Sequence, residues 1–385
     1  MDRDIIIFGA GQIGQMALSK YADRVDYFID NDEKLQGSKI SGIEIKSVID
    51  GVKDIGQHMV VIASRCQSMM AEQLDQLGVS NYILYRGDSR TYYDTEELVI
   101  NPYQNNRNRD VGEEEWNEIT RTNYAIGVIN DMVEQLQDKN VMFDHVEIET
   151  INRCNGNCGF CPVSKQNDPR EYAKMSDELF SRIIDQLAEI DYSGKLALFS
   201  NNEPFLDPDI LARHKYARKK LPLARMHLFT NGTLLTIERF VQLMNYLDEL
   251  IIDNYHQELQ LNKPCKEIVK YCKDHPELKS KVTIVLRKPQ EILTSRGGEA
   301  PNRKKLVSYE KDRCILPYKQ LIIRPDGKIS LCCNDPMGRN TLGDLSKETI
   351  LDAWNNQRFK TVRRALYEGR ANWPHCKYCD VFNMG

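Results

Sequence analysis

Thr150-Ile-Asn-Arg-Cys-Asn-Gly-Asn-Cys-Gly-Phe-Cys-Pro162 places three cysteines, Cys154, Cys158 and Cys161, in one short loop at C-x3-C-x2-C spacing. Three thiolates so crowded hold three irons of a cubane cluster and leave the fourth iron open. Iron–sulfur clusters are ordinarily held by four cysteines, so a triplet with no fourth cysteine nearby implies an exchangeable ligand. The alternative is a zinc knuckle, but zinc takes four ligands, usually as paired C-x2-C or C/H units. An apolar strand, His145-Val-Glu-Ile-Glu149, runs directly into the loop.

Outward from the loop, residues 141–305 alternate strands and helices, the pattern of a parallel sheet with crossover helices. After the first strand come Lys195–Phe199, Arg225–Phe229, Glu249–Ile252 and Lys281–Leu286. The first helix is well marked: Ser176 caps it, Asp177 and Glu178 suit its positive end, and Leu179, Ile183, Leu187 and Ile190 share one face. Ligands of such sheets bind at the carboxyl ends of strands. Polar residues collect there: Asn201-Asn202-Glu203-Pro204, Thr230-Asn231-Gly232 and Asp253-Asn254. A solvated turn is the alternative for any one of them, but all arrive at strand ends.

The cysteine triplet, Phe160 before its third member and these strand-end residues resemble the radical S-adenosylmethionine (SAM) superfamily. The resemblance implies a partial (β/α) barrel and a 4Fe-4S cluster whose open iron is chelated by SAM. It further implies reductive cleavage of SAM to a 5′-deoxyadenosyl radical that abstracts hydrogen from C–H. Phe160, Asn202, Glu203, Thr230, Asn231 and Asp253 fall at SAM-binding positions, with Glu203 on the SAM amino group and Asp253 (or Asn254) on the ribose. The family usually has Gly-Gly-Glu-Pro where this chain has Asn201-Asn202-Glu203-Pro204, so Glu203 carries over while the glycine-borne main-chain contacts do not.

Residues 306–385 hold a second cysteine group. Cys314 is followed by a hairpin, Gln320–Ile323 and Lys328–Leu331 around Pro325-Asp-Gly327, then by Cys332, Cys333 and finally Cys376-x2-Cys379. Four thiolates complete a metal site, and a zinc ribbon is the alternative. Behind a radical SAM triplet the pattern resembles the SPASM extension or its one-cluster form, twitch, as in radical SAM dehydrogenases of the 2-deoxy-scyllo-inosamine type. The resemblance implies one auxiliary 4Fe-4S cluster on Cys314, Cys332, Cys376 and Cys379, Cys332 being favoured over Cys333 by its spacing from Gly327. Cys333 is then spare or a hydrogen donor.

Residues 4–86 read as a small α/β unit. Ile5–Phe8 leads into Gly9-Ala-Gly11-Gln-Ile-Gly14 and a helix from Gln15 to Tyr21, with Asp30 ending the next strand. Strand, glycine turn, helix and a later acid form the setting of a dinucleotide fingerprint. A nucleotide or nucleotide-sugar would meet Gly9, Gly11, Gly14 and Asp30; the alternative is a structural or docking role. The unit spans about half a full dinucleotide domain, and it resembles Rossmann-like modules fused to bacterial surface-glycan enzymes. Residues 89–140 read as a polar linker with one helix, from about Glu114 to Leu136, and no chemistry. The expected segments are therefore 1–88, 89–140, 141–305 and 306–385.

The chain has 385 residues, 52 basic against 56 acidic side chains, and a net charge of -4. That balance gives no reason to expect nucleic acid or an anionic membrane as a partner. Its apolar runs are strand-length, too short for a membrane span. No charged-then-apolar signal precedes the first strand, and eleven cysteines without one point to metal binding in a reducing cytoplasm. The expected activity is oxidation of a sugar, cyclitol or nucleotide-linked sugar, with a flavodoxin- or ferredoxin-type electron donor. Arg287 is the candidate for orienting the substrate oxygen and Cys333 for hydrogen donation. Epimerisation of a sugar and modification of a peptide are the rivals.

Overall fold

The computed structural model of the protein describes residues 4–64, 67–85, 97–103, 121, 123–137, 139 and 141–382. The chain divides into two compact units, Met1–Asp94 and Thr95–Gly385.

Unit 1 carries β1 (Ile5–Phe8), β2 (Val25–Asp30), β3 (Lys39–Ile40), β4 (Ile43–Ser47), β5 (Met59–Ile62) and β6 (Tyr82–Leu84), in the order β3-β4-β2-β1-β5-β6. All pairings are parallel except the short β3–β4 hairpin. Helices α1 (Gln12–Tyr21), α2 (Val48–Lys53) and α3 (Gln67–Gln76) connect them. Central β1 is apolar at every position because both faces are covered: Ile5 and Ile7 enter one core cluster, Ile6 and Phe8 the other. The parallel strands follow the doubly wound order. β4, α2 and the β3 hairpin were not anticipated; β4 is a short, half-polar strand next to two left-handed glycines, Gly37 and Gly42.

Unit 2 carries β7 (Val99–Ile100), β8 (His145–Ile148), β9 (Lys195–Ala197), β10 (Arg225–Thr230), β11 (Glu249–Tyr255), β12 (Val282–Arg287), β13 (Gln320–Ile323), β14 (Lys328–Ser330) and β15 (Thr341–Asp344). They form one sheet, β15-β14-β13-β8-β9-β10-β11-β12-β7. From β13 to β7 every pairing is parallel, while β14 and β15 run antiparallel. The five strands expected from sequence are its centre. Four more strands were not expected in it: β7, from the stretch read as linker, flanks β12, and β13, from the C-terminal cysteine region, pairs with β8 and carries β14 and β15 beyond it. The second cysteine group is thus built on a continuation of the sheet that presents the first.

Helices α4 (Asn123–Leu136), α5 (Asp177–Glu189), α6 (Ile210–Lys220), α7 (Ile237–Leu243), α8 (Lys263–Asp274), α9 (Leu316–Lys319), α10 (Ile350–Trp354) and α11 (Gln357–Glu368) complete the unit. In α4, Ile129 and Val133 are buried in the core of unit 2, so this helix is a packing element; residues 104–120 of the linker reading, and 86–96 around its first boundary, lie outside the described residues. Ser176, Thr236 and Asn262 each cap a helix by accepting an N–H bond, worth about 1 kcal/mol apiece. No described helix is long and apolar enough to cross a membrane.

Candidate active site

The three-cysteine loop leaves the carboxyl end of β8 and is closed by a bridge between Ile151 and Lys174. Arg170, unnoticed in the sequence, organises it. Its guanidinium donates to the carboxylates of Asp168 and Glu149 and to main-chain oxygens of Asn152, Asn201 and Pro336. One part-buried side chain so joins the cysteine loop, the loop after β9 and the loop after β14. Burial still pushes the Glu149 carboxyl up to about 7.

Gly156 N–H donates to Cys154 Sγ at 3.3 Å, and a side chain there would stand 3.4 and 3.7 Å from the sulfurs of Cys154 and Cys158. Glycine therefore keeps the gap between the sulfurs clear. Gly159 lies against the segment after β12, donating to Pro289 O at 2.8 Å, and any Cβ would collide with Gln290. Phe160 is buried, its ring 5.9 Å from that of Tyr255. Burial pushes the Cys154 thiol up to about 12 and that of Cys158 further still. These sulfurs stay protonated at neutral pH unless a metal displaces the proton. Among the described residues, no three His, Cys, Asp or Glu side chains are grouped for a single metal ion. The fit of a cluster rests on the thiol donor set and the cleared gap, since each thiol of a cubane binds its own iron.

Glu203 is 1% exposed. One oxygen accepts from Phe205 N–H (3.1 Å) and Thr230 Oγ1 (2.7 Å), the other from Asn231 N–H (2.8 Å). Its carboxylate thus fastens the loop after β9 to the end of β10; burial raises its pKa, and these three donors oppose the rise. Asn231 Nδ2 donates to Asn155 Oδ1 at 2.8 Å, tying the end of β10 to the cysteine loop. Asn202 Oδ1 accepts from Ser200 N–H, while its buried Nδ2 has no hydrogen-bond partner. An orphaned donor of this kind costs about 1–3 kcal/mol, a penalty that a bound acceptor would remove.

Arg287 closes β12 and is held by two carboxylates, Asp253 Oδ1 at 3.1 Å from Nε and Glu291 Oε1 at 3.2 Å from Nη1. Glu291 also accepts the Tyr103 hydroxyl at 2.6 Å. Asp253, expected on the ribose, therefore already bears a cation. Glu291 and Tyr103 gave no sequence signal, because one lies in a loop without a motif and the other in the stretch read as linker.

A second polar group lies where β8 meets the loops after β9 and β14. Glu147, 5% exposed, accepts from Ser200 Oγ at 2.6 Å, and its other oxygen is 3.6 Å from His145 Nε2. Burial pushes its carboxyl up to about 7, opposed by the Ser200 bond and by Arg296. Arg296 sits in the left-handed region, φ 51°, and donates weakly to Asn201 Oδ1 and Cys333 O. Asn201 Nδ2 also donates to Cys333 O, at 3.1 Å. Burial pushes the Cys333 thiol up, with the Glu147 charge adding to the rise. Glu147 and its partners were not singled out from sequence, although a carboxylate at an inward position of an otherwise buried strand was the available signal.

In the C-terminal region the left-handed turn at Gly327 closes the β13–β14 hairpin. Cys314, Cys332, Cys376 and Cys379 all line one small cavity, with Asn334, His375 and Arg370 in its wall. Cys332, and not Cys333, belongs to that lining. A buried guanidinium facing four thiols fits a site whose thiols are ionised by metal.

In unit 1 the glycine turn is explained by packing. A side chain at Gly9 would strike Ala63 O and one at Gly14 would strike Gly9 O, whereas Gly11 faces open space. Asp30 accepts from Ala10 N–H of the glycine turn at 2.6 Å and from Asp32 N–H, two residues on, at 2.8 Å, so both its oxygens are engaged by main chain.

Residues 148–260 match the model of the radical SAM superfamily, and residues 314–380 match that of SPASM, an iron–sulfur cluster-binding domain. An S-adenosyl-L-methionine-dependent 2-deoxy-scyllo-inosamine dehydrogenase from Niallia circulans is 27% identical over 251 residues, 62% of this chain and 93% of that enzyme. The crystal structure of BtrN in complex with AdoMet and 2-DOIA superposes with a TM-score of 0.55 at 24% identity, over 64% of this chain and 98% of the other, a likeness of fold.

Proposed function

From a chain that carries a radical SAM domain followed by a SPASM iron–sulfur domain, we propose an enzyme that oxidises a carbinol carbon of a sugar, cyclitol or nucleotide-linked sugar to a carbonyl. The dehydrogenase from Niallia circulans supports the reaction class. Cys154, Cys158 and Cys161 would hold a cluster that, with SAM bound, would supply hydrogen-atom abstraction from an unactivated C–H bond; Cys314, Cys332, Cys376 and Cys379 would hold one that would supply a one-electron acceptor. The substrate gives up one hydrogen atom, one proton and one electron in total.

The observation that carries this reading is the group at Glu147. A carboxyl raised to about 7 is matched to taking a hydroxyl proton near neutral pH. Arg296, always charged, orients the oxygen, a task better suited to it than to Arg287, which two carboxylates already hold. Asn201 ties this group to the main chain of Cys333, next to the auxiliary ligand Cys332. Asn202, through its free Nδ2, and Thr230 and Asn231, positioned by Glu203, are the residues that would receive SAM.

Epimerisation is the second reading, favoured by one observation: the neutral Cys333 thiol lies within the influence of Glu147 and Arg296, where it would return a hydrogen atom to a substrate radical. Reduced, iron-loaded protein is incubated with SAM and candidate sugars in heavy water. Substrate-dependent 5′-deoxyadenosine and a product lighter by two hydrogens are expected. A product of unchanged hydrogen count that carries deuterium, lost in Cys333→Ala, would establish epimerisation instead.

A further inference from the structure

Arg370 stands in the wall of the auxiliary cavity and is 1% exposed. Each guanidinium nitrogen donates to a main-chain oxygen: Nε to Arg313 at 3.2 Å, Nη1 to Cys379 at 2.6 Å and Nη2 to Val381 at 2.6 Å. Its backbone N–H donates to Asp312 O, and the Phe382 ring packs 4.3 Å from its central carbon. The charge is therefore fixed in place, and none of the described ion pairs includes it. Nearby acids are already matched: Asp380 by Arg303 at 2.7 Å, Asp312 by Arg121 at 2.9 Å, and Asp335 lies 4.0 Å from His375.

A guanidinium buried without a counter-charge is strongly destabilising, and it cannot neutralise itself by losing a proton. Two carbonyls it binds belong to Cys379 itself and to Arg313, the neighbour of Cys314. Its charge is thus built into the same wall as the ligands. At the other cysteine loop the charges acting on Cys154 and Cys158 are the carboxylates Glu203, Asp253 and Glu291, the last two already paired with Arg287.

We propose that Arg370 sets the redox poise of the auxiliary site, its fixed positive charge stabilising the reduced, more negative state of the cluster held by Cys314, Cys332, Cys376 and Cys379. Net charge and hydrogen bonding around a cluster tune its reduction potential, and low-dielectric burial amplifies a neighbouring charge. The electron taken up is the one the substrate radical releases in the oxidation proposed above, on which this role rests. It leaves to a one-electron carrier protein of the flavodoxin or ferredoxin class, restoring the oxidised cluster.

The test is a potentiometric titration of anaerobically reconstituted full-length protein, followed by electron paramagnetic resonance. Cys154, Cys158 and Cys161 are replaced by Ala in the background so that only the auxiliary signal remains. Arg370→Gln, which keeps donors toward the carbonyls but no charge, lowers the auxiliary midpoint potential; Arg370→Lys holds it near wild type. Equal potentials in the Gln and Lys variants would overturn the proposal. Should Arg370→Gln fail to load iron, Arg370→Lys is titrated against pH: its potential falls as the ammonium loses its proton, whereas the wild type, whose guanidinium keeps its proton, shows no such fall, and parallel curves refute the role. The readout needs no substrate, so a shifted potential without an oxidised product would sink the oxidation reading alone.

Discussion

Both cysteine sites are presented by one sheet, yet they differ in every property that governs what a cluster there does. Cys154, Cys158 and Cys161 are half-buried, three in number, and feel the carboxylates Glu203, Asp253 and Glu291, the last two paired with Arg287. Cys314, Cys332, Cys376 and Cys379 are buried, four in number, and faced by Arg370. On the proposed reading, three thiols would leave one iron of their cluster open, while four would close the shell beside a positive charge. An open site suits ligand exchange and a closed one suits electron storage. The difference is made by the loops, since β8 and β13 are neighbours.

The sharpest way to break this comparison is to remove one site at a time. Wild-type protein should carry about eight irons as two 4Fe-4S cubanes. Replacing Cys154, Cys158 and Cys161 with Ala should leave about four and abolish SAM cleavage. Replacing Cys376 and Cys379 should also leave about four, with SAM cleavage retained and oxidised product lost. Four irons in the wild type, with zinc at the second site, would defeat the two-cluster description.

Next in size is Glu147, which bonds Ser200 and whose charge acts on Cys333. Glu147→Gln should lower kcat by roughly 10²–10⁴-fold while SAM binding is kept. The base must be ionised, so wild-type kcat should climb through about pH 7, and that limb should vanish in the variant. Stability moves the other way. A carboxyl raised from 4.5 to about 7 binds more protons in the folded state, so its contribution is fullest below about 4.5 and is lost as pH rises through about 7. Urea titrations across this window should show a shallower decline in Glu147→Gln. An unchanged pH–rate profile would remove Glu147 from the reaction.

What was legible in the sequence divides along the same line. The open site announces itself because its ligands fall within eight consecutive residues, and the hairpin at Pro325-Asp-Gly327 was marked by turn chemistry. β13 could not be placed, since nothing local to Gln320–Ile323 states that its partner is β8, about 175 residues away. Arg170, Arg296 and Arg370 were invisible for a related reason. An arginine becomes a hub only by where its guanidinium is buried, and single arginines in loops are indistinguishable from solvated ones. In unit 1 the strand, glycine turn, helix and Asp30 left both a nucleotide and a structural role open, and close packing at Gly9 and Gly14 gives two of the glycines a structural reason.

Glu203 offers a smaller test, of how the open site receives its ligand. The carboxylate accepts three protein hydrogen bonds, so it binds the SAM amino group only with oxygen lone pairs left over. Glu203→Gln turns one oxygen into a donor facing Thr230 or Asn231, which displaces the strand end whichever way the amide points. A bond to a charged group is worth about 1.5–3 kcal/mol, so SAM affinity should fall roughly tenfold or more with iron content preserved. Unchanged affinity would limit Glu203 to fastening the loop.

The smallest effect is expected in unit 1, at Asp30. Both carboxylate oxygens already accept main-chain N–H bonds, from Ala10 and Asp32. To hold a ribose as well, the carboxylate would have to use its remaining lone pairs or release the turn that shapes the glycine loop. Its exchange for Asn keeps one acceptor, so Asp30→Asn should lower stability by about 0.5–1.5 kcal/mol, the value of one ordinary hydrogen bond. Iron content, SAM binding and product formation should not change, because every residue assigned to those tasks lies in unit 2. Full-length protein titrated with NAD and with UDP-sugars should show the same thermal response in the wild type and in Asp30→Asn. A shift in melting temperature that saturates with a UDP-sugar, and that Asp30→Asn abolishes, would give unit 1 a ligand. The open space beside Gly11 would then be where its pyrophosphate approaches the start of α1.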